Sequence, residues 1–392
     1  MAMRRATMLI GAVVLAAGLV GCGGPSATTP TSTPGMAATT TTGTSTAPAG
    51  ATAAATATAT TPPITPAATS TPPASPVAAS ALTIDGTRVV QVAVAGPSQN
   101  LVYAATASGL YRRSGSGAWA LVSSRPVTGQ LLVDPSNSDV LYQGDHAPCA
   151  RGGATVAFQK SVDGGKTWQM LPGGQDVRPW VVDPANPARI YGDKCQLAIS
   201  TDGGQSWTTS PVVPSFDVSS MALTGSTLEV IATSEGGTSR LVPVDVSTPG
   251  RAVAGTTQLE FWGGGAVVAS GGRLVVGEPR GVHVSTDGGR TWSFSRAGLE
   301  KVTVSVDVLS TPLPQSEISQ GFGIFALAAD PVRPDTMFAG TIHGLYRSAD
   351  GGKTWQPVGA IAPVRVRTLA MASDGAQLYV TTDEGVTLLT NP

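Results

Sequence analysis

The sequence predicts an all-β fold: a seven-bladed β-propeller of four-stranded antiparallel blades, closed by an N-terminal strand and preceded by a disordered linker. Three observations predict it. The phrase Ser-x-Asp-Gly-Gly-x-Thr/Ser-Trp occurs four times, at Ser161–Trp168, Ser200–Trp207, Ser285–Trp292 and Ser348–Trp355. An apolar run ending in Asp-Pro precedes three of the phrases, at Asp134-Pro135, Asp183-Pro184 and Asp330-Pro331. The phrase aspartates at 163, 202, 287 and 350 stand 39, 85 and 63 residues apart. Those steps fit a unit of about 40 residues with one degraded copy and one insertion, which is the size of a four-stranded blade.

The chain opens outside that fold. Arg4 and Arg5 precede a short apolar core, Leu9–Val20, that ends in Leu19-Val20-Gly21-Cys22. An apolar run this short reads as a signal peptide (1–21) and not as a spanning helix. Leu-Val-Gly-Cys resembles a bacterial lipobox, which implies that Cys22 carries lipid. The protein is then expected on the outer side of the cytoplasmic membrane or at the cell surface. Arg4-Arg5 lacks the surroundings of a twin-arginine signal. From Gly23 to Ser80 the composition collapses to Thr, Ala, Pro, Ser and Gly, with no charge between Arg5 and Asp85. Such a segment cannot bury enough apolar surface to offset the entropy of ordering, so 22–80 is expected to be a disordered stalk. Prolines stiffen and extend it.

The propeller is expected over 81–392. Blade one spans about Val89–Val122, with a degenerate phrase at Ser114–Trp119; blade two is about Gly129–Leu171 and blade three about Val177–Ser210. Blade four, about Ser219–Ala252, has lost the phrase; blade five is about Gln258–Leu299 and blade six about Gly323–Ile361. Blade seven runs from Val366 to Leu389 and is one strand short, so Ala81–Ile84 is expected to complete it. Closure of this kind ties both chain ends together and leaves no open edge.

Each residue of the phrase has a job in a hairpin turn. Asp accepts backbone N–H groups, the Gly pair permits positive φ, Ser and Thr supply hydroxyls, and Trp buries area between strands. Asp163, Trp168, Asp202, Trp207, Asp287, Trp292, Asp350 and Trp355 are therefore read as structural. The phrase resembles the Asp box, or bacterial neuraminidase repeat. That repeat recurs in sialidases, xyloglucan-degrading enzymes, sortilin-type receptors and the photosystem II stability/assembly factor family. The resemblance is greatest to the assembly-factor type and to sialidase-like propellers. It implies that the boxes lie away from the functional face.

Function is then sought on the opposite loops. Ligand-face candidates there are His146, Arg151, Arg178, Lys194, Arg280 and His343. Cys149 and Cys195 fall in the same loop type on adjacent blades and are expected to form a disulfide, the usual fate of such a pair after export. The best reading is a lipid-anchored, non-catalytic propeller that binds a protein or glycan. The alternative is an extracellular glycoside hydrolase of the sialidase superfamily, with Glu278, Asp383 and Glu384 as candidate acids. All six tyrosines occupy repeat positions, which leaves none to act as a sialidase-type nucleophile. Two histidines on separate loops without matching acids give no metal site. No cofactor motif is present. A net charge of −1 offers no concentrated basic face for nucleic acid. The chain is expected to be a monomer. Two insertions, Gln143–Ala157 and Glu300–Phe322, stand out as long propeller loops of the kind that build binding surfaces.

Overall fold

The computed structural model describes residues 78–82, 84, 87–95, 101–146, 155–210, 217–234, 237–303, 323–361 and 363–392. Among these there is no helix, and the strands form seven antiparallel sheets, one per blade. In each sheet the strands follow chain order from inner to outer, except in the last. The inner strands Val89–Val94, Gln130–Val133, Arg178–Val182, Asp217–Thr224, Ala266–Ser270, Ala326–Ala329 and Val366–Met371 each touch the next around the ring, and the seventh returns to the first.

Blade seven is closed as the sequence requires. Its inner three strands are Val366–Met371, Gln377–Thr382 and Gly385–Thr390, and Ala78–Leu82 adds the fourth, pairing Ala78 with Thr390 and Leu82 with Val386. The closing strand lies three residues upstream of the expected Ala81–Ile84. Leu82 packs into the core between blades seven and one, whereas Ile84 has left the ladder, bridges to Thr87 and is buried.

A second boundary also moves. Leu259–Trp262, expected to open blade five, instead pairs with the third strand of blade four, Thr238–Asp245. That eight-residue strand has no box to end it. Its outer edge is covered in two pieces, Val253–Ala254 and Leu259–Trp262. Blade five then begins at Ala266.

The core is divided rather than central. Seven clusters of buried apolar side chains occupy the seven blade junctions, from Tyr191, Leu228 and Val244 between blades three and four to Val275, Met337 and Trp355 between five and six. Each sheet thus buries both faces against its neighbours, and burying apolar area at about 25 cal/mol per Å² holds the ring together blade by blade. Blade one, whose box is degenerate, uses a different joint. Arg113 is buried, donates to the Tyr379 hydroxyl of blade seven (2.6 Å) and lies 4.9 Å from the Trp119 ring.

Candidate functional site

The four complete boxes share one end of the ring with the Asp-Pro turns. Within each box a single lock repeats. Ser161 Oγ donates to Asp163 (2.8 Å) and accepts the Gly165 N–H (2.8 Å), while Asp163 accepts from the Thr167 N–H (2.9 Å) and hydroxyl (2.6 Å). Ser200–Asp202–Ser206, Ser285–Asp287–Thr291 and Ser348–Asp350–Thr354 do the same. The Thr167 and Thr291 hydroxyls lead the interactions that hold the Asp163 and Asp287 carboxyls at about 2. Trp207, Trp292 and Trp355 donate their indole N–H to the second Gly of their own box. That glycine has φ near +90°, and a Cβ on Gly165 would sit 2.4 Å from Leu110 of the preceding blade, so the box also docks the neighbour. In blades two, three and six the first Gly of the box bonds the Asp-Pro turn of its own blade, as Gly164 N–H does with Asp139 O (2.8 Å). These aspartates are committed to their turns.

The opposite end carries the loops between second and third strands. Blades one, six and seven share one turn there, in which Thr106, Thr341 and Thr382 donate to the oxygens of Gly109, Gly344 and Gly385 and accept the N–H two residues on; the charged groups differ from blade to blade. Between blades two and three, Asp193 is fully buried and joins two partners: His146 Nε2 and the Trp180 indole N–H (2.7 Å). Beside it Arg178 Nε meets Asp145 (2.7 Å), which also accepts the His146 N–H (2.9 Å). Lys194 is exposed next to this cluster. Cys195 is disulfide-bonded and has φ of 56°; Cys149, its expected partner, lies outside the described residues, as do Cys22 and Arg151. On blade five, Glu278 is fully buried and accepts from Arg280 Nε (2.8 Å) and pairs with His283 Nε2 (3.0 Å). On blade seven, Asp383 pairs with Arg367, Glu384 is exposed, and the Arg365 guanidinium stands 5.0 Å from the Phe325 ring. His343 is exposed on blade six, far in sequence and blade order from His146. No group of three metal-ligating side chains occurs among the described residues.

The structure brings Asp145, His146, Arg178 and Asp193 together. It leaves Glu278 separated from Asp383 and Glu384 by a whole blade, so the three candidate acids do not form a pair. It also exposes a feature that sequence reading missed. A channel of about 520 Å³ runs through the ring, lined from all seven blades. In four inner strands the register slips by one residue at the loop end: at Val90, Trp180, Ser219 and Arg367. A β-bulge re-aims its extra residue, and Trp180, Ser219 and Arg367 all line the channel. One signal was available. Trp180 follows Arg178-Pro179 at the start of an inner strand and not at the end of a box.

A ring of seven antiparallel blades carrying this repeated lock defines the class: the chain is built from BNR/Asp-box repeats on a β-propeller. The BNR/Asp-box repeat is matched at residues 198–209, 283–294 and 346–357. The chain is similar to a xyloglucanase of Hypocrea jecorina (strain QM6a), 26% identical over 246 residues, covering 61% of this chain and 26% of that one. A xyloglucanase of Paenibacillus sp is 29% identical over 243 residues, covering 59% and 20%. The chain thus spans about a quarter or less of the length of these relatives. Among solved structures, YCF48 from Cyanidioschyzon merolae superposes with a TM-score of 0.52 at 16% identity, covering 80% of this chain and 99% of that one. YCF48 bound to D1 peptide gives 0.51 at 14%, covering 82% and 96%. At these identities the structural likeness is one of fold.

Proposed function

We propose that the chain is a lipid-anchored, non-catalytic propeller that holds a partner on the loop end of its ring, with the channel mouth as the contact site. The observation that carries this is the set of four bulges. Three of them place one aromatic, one hydroxyl and one cationic side chain on the channel, Trp180, Ser219 and Arg367, a mixture suited to a peptide or a glycan surface. Trp180 is a fixed platform in this reading, its indole held by Asp193. Glu278 is bound on both oxygens, and Asp383 is paired with Arg367, so both acids are engaged by groups of the chain itself. A solved propeller of the same architecture holds a peptide, which makes an extended peptide the first partner class to test. Cys22 is the lipidated residue in this proposal, and the outer side of a bacterial membrane is the location.

The test is capture of partners by the immobilised full chain from an extract of its own cells. A specific partner lost with both Trp180→Ala and Arg367→Ala is the expected result; a partner retained by both variants defeats the mouth as the site. The similarity to xyloglucanases over some 60% of the chain supports a second reading, a glycoside hydrolase. Turnover of xyloglucan or of fluorogenic glycosides that disappears in Glu278→Gln or Asp383→Asn would establish it in place of the first. Release of Cys22→Ala protein into the medium is expected if the anchor is lipid.

A further inference from the structure

Blade four has no box, and its second strand, Thr227–Thr233, carries an acid where blades one and seven carry a ring. In blades one, four and seven, Tyr103, Glu229 and Tyr379 pair with the third residue beyond the inner-strand bulge: Ala93, Ala222 and Ala370. The tyrosines use this position to reach the next blade. Tyr103 donates to Ser138 O of blade two (2.9 Å), and Tyr379 accepts from Arg113 of blade one. Side chains alternate along a strand. Leu228 and Val230 pack toward blade three and Ile231 toward blade five, so Glu229 also faces blade five.

Among the described residues no group receives it. Glu229 is 2% exposed, and its Oε2 is buried without a hydrogen-bond partner. Gln258, whose Oε1 crowds Gly289 of the blade-five box, has that oxygen orphaned too. The charged groups of the surrounding elements are engaged elsewhere. Arg240 pairs with Glu260 on the exposed outer strands, Asp245 caps Ser247, and Arg273 turns to Asp335 of blade six. His283 is bonded to Glu278, and Asp287 and Arg290 are held within the box turn. This junction also has the fewest buried apolar residues of the seven: Ile231, Leu241, Phe261, Val267 and Val276.

We infer that the junction of blades four and five is a proton-controlled joint of the ring, closed when Glu229 is neutral and loosened when it ionises. An ionised carboxylate with no donor is costly to bury, whereas a carboxylic acid brings its own donor to a junction with orphaned acceptors. Burial accordingly pushes the Glu229 carboxyl up to about 7, from an ordinary 4.5. A folded-state value raised above the unfolded one means that the folded form binds the extra proton between them. Stability at this joint is therefore greatest below about pH 4.5, falls as pH rises, and levels off above about 7.

The test is hydrogen exchange of the full chain, corrected for intrinsic rate, from pH 5 to 8. Opening of Thr227–Thr233 and Leu259–Trp262 is expected to increase on the order of 50-fold, while the junction of blades one and two stays level. Glu229→Gln and Glu229→Tyr, the latter placing there the residue of blades one and seven, are each expected to abolish the dependence. Exchange that keeps step around the ring, or a dependence that persists in either variant, overturns the inference. Should neither variant fold, the infrared carboxylic C=O band of the native chain decides: a protonated carboxyl at pH 6 supports the joint, and its absence refutes it.

Discussion

At the box end of the ring, four turns repeat one hydrogen-bond pattern, with Ser-to-Asp distances of 2.8, 2.9, 2.8 and 2.7 Å. At the loop end blades one, six and seven share a Thr turn, but the acids find different partners on each blade that carries them: Asp193 with His146 and Trp180, Glu278 with Arg280 and His283, Asp383 with Arg367. The first end solves a problem common to all blades, namely how to stop a hairpin and dock it on its neighbour. The second places different charged groups on different blades. Repetition therefore marks the scaffold, and departure from it marks the surface that selection can shape separately for a partner.

The sharpest way to break this comparison is at Asp193. Asp193→Ala removes the buried carboxylate that joins His146 to the Trp180 indole N–H, a loss of about 3–5 kcal/mol, read as a lower denaturation midpoint with altered Trp180 fluorescence. A loss under about 1 kcal/mol would mean that the cluster is loosely packed. The next test lies in the boxes. Ser348→Ala orphans the buried Gly352 N–H and is expected to cost about 1–3 kcal/mol. Ser161→Ala, Ser200→Ala and Ser285→Ala should match it closely, because the lock is the same. Unequal costs would show that the boxes are not equivalent parts. Acid gives the gentlest probe. Asp163 and Asp287 titrate at about 2 in the folded chain against an ordinary 3.8. Their locks are thus fully formed above about pH 4 and are lost as pH falls toward 2. Exchange of the Thr167 and Thr291 amides should rise over that interval and not before.

Most of the ring could be read from residues alone, because a blade writes itself into the chain as local signals. Asp-Pro fixes a turn between the first and second strands, Gly-Gly fixes another between the third and fourth, and the box Trp marks where the outer strand begins. Blade four was placed by spacing alone, and that is where a boundary moved. Without a box, nothing local says that Leu259–Trp262 should pair backward rather than forward. The loop end was legible only in part. Asp145, His146, Arg178 and Asp193 could be assigned to one face, but their convergence depends on how two blades pack. Trp180, Ser219 and Arg367 reach the channel through bulges, which arise from pairing register and leave no compositional trace. Glu229 looked like an ordinary strand residue until its neighbours were known.

The direction of the closing strand sets how the ring bears load. Ala78 pairs with Thr390 at the box end and Leu82 with Val386 at the loop end, so the chain reaches the ring from the box end. A pull applied at Ala78 runs along the strand, while the ladder bonds lie across it. All of them resist together in shear, and none is peeled singly. A partner gripped at the loop end would draw against that pull along the axis of the ring. The residues that complete the circle are then also the ones that carry tension between the two ends.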